Sequence, residues 1–261
     1  MLPDFEMIVH KFPKRENITI YPIADVHWGA QECMEQEFMA FINKVAKEPN
    51  SYLILGGDML DNTLKSSVGN SYENRYRPAD AKKQMAKILA PVADKILCSV
   101  CGNHERRSSK DADDDPLYDI MAKIDREDIY RENMAFVKIQ MGNQAANGEN
   151  NPTYTLVVTH GAGGGALTGG VVNRGERYGY AIDGMDALIF GHTHKPFTTQ
   201  PGKIVIDKYN NKVTVKPFKV VNMTSWLDYS GYAAQKMLLP TSHTLQTLTL
   251  YGKHKEMVVT M

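Results

Sequence analysis

Five short polar stretches, each following an apolar run, carry most of the side chains in this chain that are equipped for chemistry. They are Asp25-Val26-His27, Gly57-Asp58-Met59-Leu60-Asp61, Gly102-Asn103-His104-Glu105, His160-Gly161 and Gly191-His192-Thr193-His194. Five of the eight histidines fall in these stretches and only His10, His243 and His254 do not, a concentration that scattered surface histidines would not produce. Taken singly each position has a bland reading: an Asp at a strand end caps a helix or turn, Asn103 is a turn residue, His160 a satisfied core histidine. All five would have to coincide for the bland reading to hold. Imidazoles, carboxylates and one amide, with no thiolate, form a donor set for Mn²⁺, Fe or Zn²⁺ rather than for soft metals. Since about four ligands close a tetrahedral site, the inventory predicts two divalent metal ions, with Mn²⁺ the first choice.

The intervening segments predict how these groups are positioned. Residues 18–24 and 52–55 and the run 95–101 are apolar strands separated by helical patterns at 32–48 and about 79–90, each stopped by a proline (Pro49, Pro91). Strand, helix, strand, helix, strand predicts parallel pairing, and ligand sites in open α/β sheets lie beyond the carboxyl ends of the strands. Asp115-Pro116 supplies an N-cap and first-turn proline for a further helix to about Ile124. Strands follow at 135–140, 154–159 and 186–190, with the Asn/Gly-rich 142–152 as a surface turn. The polar stretch 63–78 reads as a long loop over the site. Residues 161–170 hold six glycines without the Gly-Lys-Ser/Thr of a phosphate-cradling loop, and read as a mobile loop beside the site. From Lys203 the pattern becomes alternating hairpins, 203–207 with 212–215 and 247–251 with 257–260. The expectation is an α/β fold of two packed mixed β-sheets, a β-sandwich flanked by α-helices. It forms one domain over 1–261, with motifs at 25–194 and antiparallel hairpins at about 203–261.

Composition narrows the classes further. The chain has 261 residues, enough to bury a core without covalent staples, and 43% hydrophobic with 23% charged residues is an ordinary globular balance. Net charge is zero and pI about 7.1, so there is no bulk attraction to nucleic acid or anionic membrane. No apolar run approaches the ~20 residues of a membrane span, and the first residues lack a signal-peptide pattern; a cytoplasmic location is expected. Three cysteines suit a reducing compartment. Cys98 and Cys101, three apart on a strand, point to opposite faces and read as small core residues rather than a zinc pair.

The ordered set Asp25-x-His27, Gly57-Asp58-x-x-Asp61, Gly102-Asn103-His104-Glu105, His160-Gly161 and Gly191-His192-x-His194 resembles the calcineurin-like metallophosphoesterase superfamily over about residues 18–195. By that resemblance Asp25, His27, Asp58 and His194 would hold one metal, and Asp58, Asn103, His160 and His192 the other, with Asp58 as bridge. His104 would stand beside the scissile phosphate as the catalytic acid, oriented by Asp61. The resemblance implies hydrolysis by in-line attack of a metal-bridging hydroxide, without a covalent enzyme intermediate.

The substrate class is less sharply written. The protein-phosphatase branch of that superfamily has an arginine after its Gly-Asp-x-x-Asp, and here Asn62 takes its place. Asn62, Arg106 and Arg107 are the candidate substrate-binding residues, the arginines replacing the missing charge. The expectation is a phosphodiesterase acting on nucleic acid, supported by the basic run Arg75, Arg77, Lys82, Lys83, by Arg106, Arg107 and Lys110, and by Trp28, Tyr72 and Tyr76 as stacking groups. A phosphomonoesterase of protein-phosphatase type is the alternative. A silent scaffold of the same fold is disfavoured because none of the motif residues is replaced.

Overall fold

The computed structural model describes residues 3–261 apart from 65–66, 68–72, 143–150, 165–166, 236 and 238. In chain order its strands are β1 Met7–Phe12, β2 Asn17–Ile23, β3 Ser51–Leu55, β4 Ile96–Val100, β5 Tyr130–Arg131, β6 Met134–Met141, β7 Thr153–Thr159, β8 Ala187–Phe190, β9 Phe197–Thr199, β10 Gly202–Asp207, β11 Lys212–Pro217, β12 Lys219–Asn222, β13 Thr247–Tyr251 and β14 Met257–Thr260. The helices are α1 Glu35–Lys47, α2 Pro78–Leu89, α3 Glu105–Ala112, α4 Pro116–Lys123, α5 Thr168–Tyr180 and the short α6 Gly231–Gln235. Two six-stranded mixed sheets, ordered β14-β13-β2-β3-β4-β5 and β1-β6-β7-β8-β12-β9, pack against each other, as the α/β sandwich expectation requires.

The first sheet is built from βαβ crossovers. β2, β3, β4 and β5 run parallel, and α1 crosses from β2 to β3 with Phe38, Phe41, Ile42 and Val45 buried at three- and four-residue spacing. Phe41 meets Tyr21 of β2 edge-on at 5.3 Å, so the helix covers the outer side of the sheet. α4 starts as the sequence demands: Asp115 Oδ1 accepts the N–H groups of Leu117 (3.2 Å) and Tyr118 (3.0 Å), with Pro116 in the first turn.

In the second sheet, β8 alternates sides. Ala187 and Ile189 belong to the main core between the sheets, while Leu188 and Phe190 join Val157, Phe218, Val220 and Val171 of α5 in a second apolar layer. His10, outside the polar motifs, ties the sheets together: its Nε2–H donates to the Leu97 carbonyl of β4 at 2.7 Å.

The C-terminal hairpin β13–β14 joins the parallel strands: β13 pairs antiparallel with β2 and extends their sheet. The glycine-rich 161–170 is not loop throughout, because α5 begins at Thr168 and includes Gly169 and Gly170. A Cβ at Gly175 would lie 2.8 Å from the Phe190 ring and 2.9 Å from Val220, so glycine lets this helix sit close on the sheet, a tertiary gain that outweighs its poor helix propensity. Residues 105–112, which carry the basic Arg106, Arg107 and Lys110, are α3. Most of the expected surface turn at 142–152 and part of the expected loop at 63–78 lie outside the described residues.

The strand ends are braced from below. Asn222, at the end of β12, donates its amide to Thr193 Oγ1 (2.8 Å) and the Lys195 carbonyl (2.6 Å), and its own carbonyl accepts from Gln246 Nε2 (2.8 Å). Replacing Asn222 by Ala would leave the two acceptors without their donor, at a cost of about 1–3 kcal/mol. The urea midpoint should fall with an unchanged m-value; an unchanged midpoint would show that the brace adds nothing.

Candidate metal centre

The loops after β2, β3, β4, β7 and β8 bring the five sequence motifs to one end of the sandwich. Their backbones interlock: Asp25 N–H donates to the Gly57 carbonyl (3.0 Å), His27 to Asp58 (2.9 Å) and Gly191 to His160 (3.0 Å). Asp25, His27, Asp58, Asn62, His192 and His194 all have left-handed backbones, with φ between 46° and 70°. Asp, Asn and His adopt this region more readily than other side-chain-bearing residues, and such conformations persist where surrounding contacts dictate them. The sharp bends aim the side chains inward at the ends of the strands.

Three sets of donor atoms converge: Asp25, His27 and His194; His27, Asp58 and His104; and Asp58, His160 and His192. In the first, His27 Nε2 and His194 Nε2 stand 3.3 Å apart, and His194 Nε2 lies 3.3 Å from Asp25 Oδ1. In the last, His160 Nε2 lies 3.3 Å from Asp58 Oδ2 and 2.9 Å from Asn103 Oδ1, which is itself 2.6 Å from His192 Nδ1. Asp58 joins the two sets, its Oδ2 being 3.9 Å from His27 Nε2.

These residues fit a cation better than they fit one another. His160 Nδ1 faces the Gly56 carbonyl at 2.8 Å. A carbonyl only accepts, so the Nδ1 proton is fixed there and Nε2 is the nitrogen left facing the two oxygen acceptors. This is how metal-binding imidazoles are commonly oriented. Burial disfavours charge on His160, but the Asp58 carboxylate overrides it, with smaller help from Asp25 and Gly56, and lifts its pKa to about 10. Conversely, burial penalises a charged Asp58, yet His160, then His104 and His27, holds its carboxyl well below the usual range. Burial and the neighbouring His160 lower His192; burial and His104 lower His27. Asp25 Oδ1 is buried with no hydrogen-bond partner, although His194 is close. A cation between these lone pairs resolves each conflict.

His104 stands at the rim. Its Nδ1–H donates to the Asp61 carbonyl at 2.7 Å, and the Asp61 carboxylate lies 3.4 Å from the same nitrogen. Burial opposes protonation of the ring, but Asp61 and Asp58 together raise its pKa. Asp61 is kept ionised despite its burial by His104, His27 and Thr63. Arg107 Nη2 lies 2.9 Å from His104 Nε2 and its Nη1 donates to the Asp61 carbonyl at 3.1 Å. Among the described residues no carboxylate pairs with Arg107. Arg106, by contrast, is held by the Glu132 carboxylate (3.3 Å) and carbonyl. It lines a cleft of about 380 Å³ with Asn103, Asn133, Met134, His160 and Tyr178.

Glu105 has a role that sequence reasoning left open. It is fully buried: Oε2 accepts the N–H groups of Asp58 (3.0 Å) and Gly102 (3.1 Å), and Oε1 that of Leu60 (3.0 Å). The carboxylate therefore clamps the β3 and β4 loops together. Burial, and then the nearby Asp58 charge, pushes its pKa up to about 7 against the pull of these N–H groups. Gly102 makes the clamp possible, since a Cβ there would lie 2.1 Å from Asp58 N and Oδ1. Asn62 belongs to the same scaffold. It is buried and its amide donates to the His104 carbonyl and Ser108 Oγ, both at 2.9 Å.

Several residues expected to meet nucleic acid are engaged elsewhere. Trp28 is 3% exposed, donates Nε1–H to Gln84 and stacks on Tyr76; Tyr72 lies outside the described residues. Lys82 pairs with Asp114 and Asp119, and Arg75 with Glu35. Cys98 and Cys101 are free and buried, as expected of core residues.

The Glu105 clamp predicts a measurable effect. Gln in its place puts an NH₂ group against a backbone N–H and should weaken Mn²⁺ binding by about 10–100-fold, read by calorimetry on protein whose circular dichroism is unchanged. Native affinity would show that the clamp does not position the site.

No curated protein matches the chain. Among solved structures it is similar to a conserved uncharacterized protein, a predicted phosphoesterase, from Streptococcus pneumoniae TIGR4. The identity is 11% over 94% of this chain and 99% of that one, with a TM-score of 0.37. The family model of the calcineurin-like phosphoesterases matches residues 18–196, which span all five motifs. The chain belongs to the calcineurin-like phosphoesterase family and is a metal-dependent phosphoester hydrolase.

Proposed function

We propose that the chain is a binuclear phosphodiesterase. Asp25, His27, Asp58 and His194 would hold one divalent cation, and Asp58, Asn103, His160 and His192 the other. The observation that carries this reading is the position of Asp58: one carboxylate oxygen faces imidazoles of both sets, while the other accepts His104 N–H at 2.8 Å and cannot swing away. Bound there, divalent cations supply Lewis acidity and make a coordinated water acidic near neutral pH. Mn²⁺ is our first assignment, with Fe or Zn²⁺ compatible with the same donors. β13–β14 joins the sheet that carries Asp25 and Asp58, which supports a single catalytic domain over 1–261.

The chain's own groups do the rest. His104, held through Nδ1 by Asp61, presents Nε2 to the leaving oxygen and delivers a proton to it. A protonated Nε2 cannot accept the Arg107 hydrogen bond, so the two groups compete. A phosphate anion that draws Arg107 away frees His104 for its charged form, which Asp61 and Asp58 favour. Arg107 is thus the phosphate-gripping residue, and Arg106 lines the cleft for the organic group. With Asn62 committed to the His104 loop, one guanidinium without a carboxylate partner is offered to the phosphate, which suits a singly charged diester better than a dianionic monoester. Because Lys82, Arg75 and Trp28 are engaged elsewhere, a short or compact phosphodiester is favoured over long nucleic acid.

The test is an assay of the Mn²⁺-loaded protein on an aryl phosphodiester, the matching monoester, and single- and double-stranded DNA. Diester hydrolysis that disappears in Asp58→Asn is expected. Hydrolysis of the monoester alone would overturn the substrate assignment, and activity surviving in Asp58→Asn would overturn the shared-carboxylate site. Arg107→Met should lower kcat/KM by about 10–100-fold, the worth of a charge-assisted bond of roughly 1.5–3 kcal/mol. Equal activity in Arg107→Met would remove Arg107 from the phosphate site.

A further inference from the structure

Outside the catalytic end, the hairpin β10–β11 departs from ordinary burial. It forms a two-stranded sheet of its own, and an isolated hairpin is marginally stable in water. Its register places Gly202 opposite Pro217, Ile204 opposite Val215 and Ile206 opposite Val213. These three cross-strand pairs share one face, since alternate residues point to the same side. That face carries no charge. Ile204 and Ile206 are each 74% exposed and Val213 and Val215 each 68%, with Tyr209 at the turn 85% exposed.

The other face is polar, pairing Lys203 with Lys216 and Asp207 with Lys212, yet its β10 residues Lys203, Val205 and Asp207 are the half-buried ones. Lys203 Nζ donates to the Ile182 carbonyl and sits 5.3 Å from the Phe218 ring centre. The hairpin thus turns charged residues toward the body and four β-branched side chains toward solvent, the reverse of what burial alone would select. Its turn is well made: Asp207 Oδ1 accepts the N–H groups of Tyr209 and Asn210, both at 3.1 Å, and Oδ2 the Asn210 side chain at 2.8 Å.

We infer that this face is the dimer interface, and that its occupant is the same face of a second copy of the chain. Two features select a second copy. The first is area: five side chains this exposed present on the order of 600 Å², so two copies bury roughly 1,200 Å² in total, where specific interfaces begin. The second is shape. A two-fold axis running along the strands sets β10 of one copy over β11 of the other, so that each isoleucine meets a valine and large residues fill the space above smaller ones. The strip of Ile204, Ile206, Val213 and Val215 can face itself without repulsion, because Lys203, Lys212 and Lys216 lie on the far side of each ribbon and Lys208 sits by Tyr209 at the turn.

Sedimentation equilibrium of the full chain should give a mass near twice 29.3 kDa. The double variant I204K/V215K should halve that mass while keeping the circular dichroism spectrum, because both positions are exposed. T214K, on the opposite face, should remain dimeric. A monomeric wild type, a dimer that survives I204K/V215K, or a monomer that binds phosphatidylglycerol vesicles through this face would each overturn the assignment.

Discussion

Three backbone N–H groups, from Asp58, Leu60 and Gly102, end on the single buried carboxylate of Glu105. This clamp belongs to neither proposed cation, yet the centre depends on it. It sets the distance between the loop that carries Asp58 and Asp61 and the loop that carries Asn103 and His104. A carboxylate suits the place because it is the only common side chain with two oxygens that accept without donating. Burying it is costly, and burial together with the Asp58 charge pushes its pKa up to about 7. The return is a pair of loops that cannot drift apart.

Around the clamp the polar groups are graded by depth. Asp25 and Asp58 lie wholly inside, and Asp25 Oδ1 has no hydrogen-bond partner. His160 and His192 turn toward the Asn103 oxygen, and the His160 tautomer is dictated by a backbone carbonyl. His104 and Arg107, nearer the surface, share a hydrogen bond that an incoming anion can break. Fixed donors inside and exchangeable donors outside suit a site that binds cations tightly and turns over a phosphoester. Six left-handed residues at the strand ends show where the backbone bends to achieve this.

Much of this was legible before any coordinates. The strands that end in Asp25, Asp58, Asn103, His160 and His192 announced themselves as apolar runs meeting polar motifs, and α1, α2 and α4 as periodic patterns with proline or Asp-Pro signals. Less legible was α5, because Gly169, Gly170, Gly175 and Gly179 argue against a helix until the sheet beneath it is known. The joining of β13 to β2 was hidden for a similar reason: an alternating strand records that one face is buried, not which neighbour it pairs with. Trp28, Lys82 and Arg75 looked available for nucleic acid because a sequence shows charges and rings without their partners.

What the sequence by itself determined is the donor chemistry: which imidazoles, carboxylates and amide stand at strand ends, and hence the family. Side-chain type and local spacing are enough for that, because strand periodicity and turn residues act over a few positions. What only the tertiary structure decided is the division of labour among neighbours. Glu105, next to His104 in the chain, faces backbone N–H groups inside, and Asn62 supports the His104 loop from a buried position. Arg106 is engaged by Glu132 while Arg107 remains for His104. Apart from the Arg107–His104 contact, three positions apart, these roles depend on contacts between residues 26 to 47 positions apart. No local pattern encodes them, because partners so distant are chosen by how the two sheets and their loops pack.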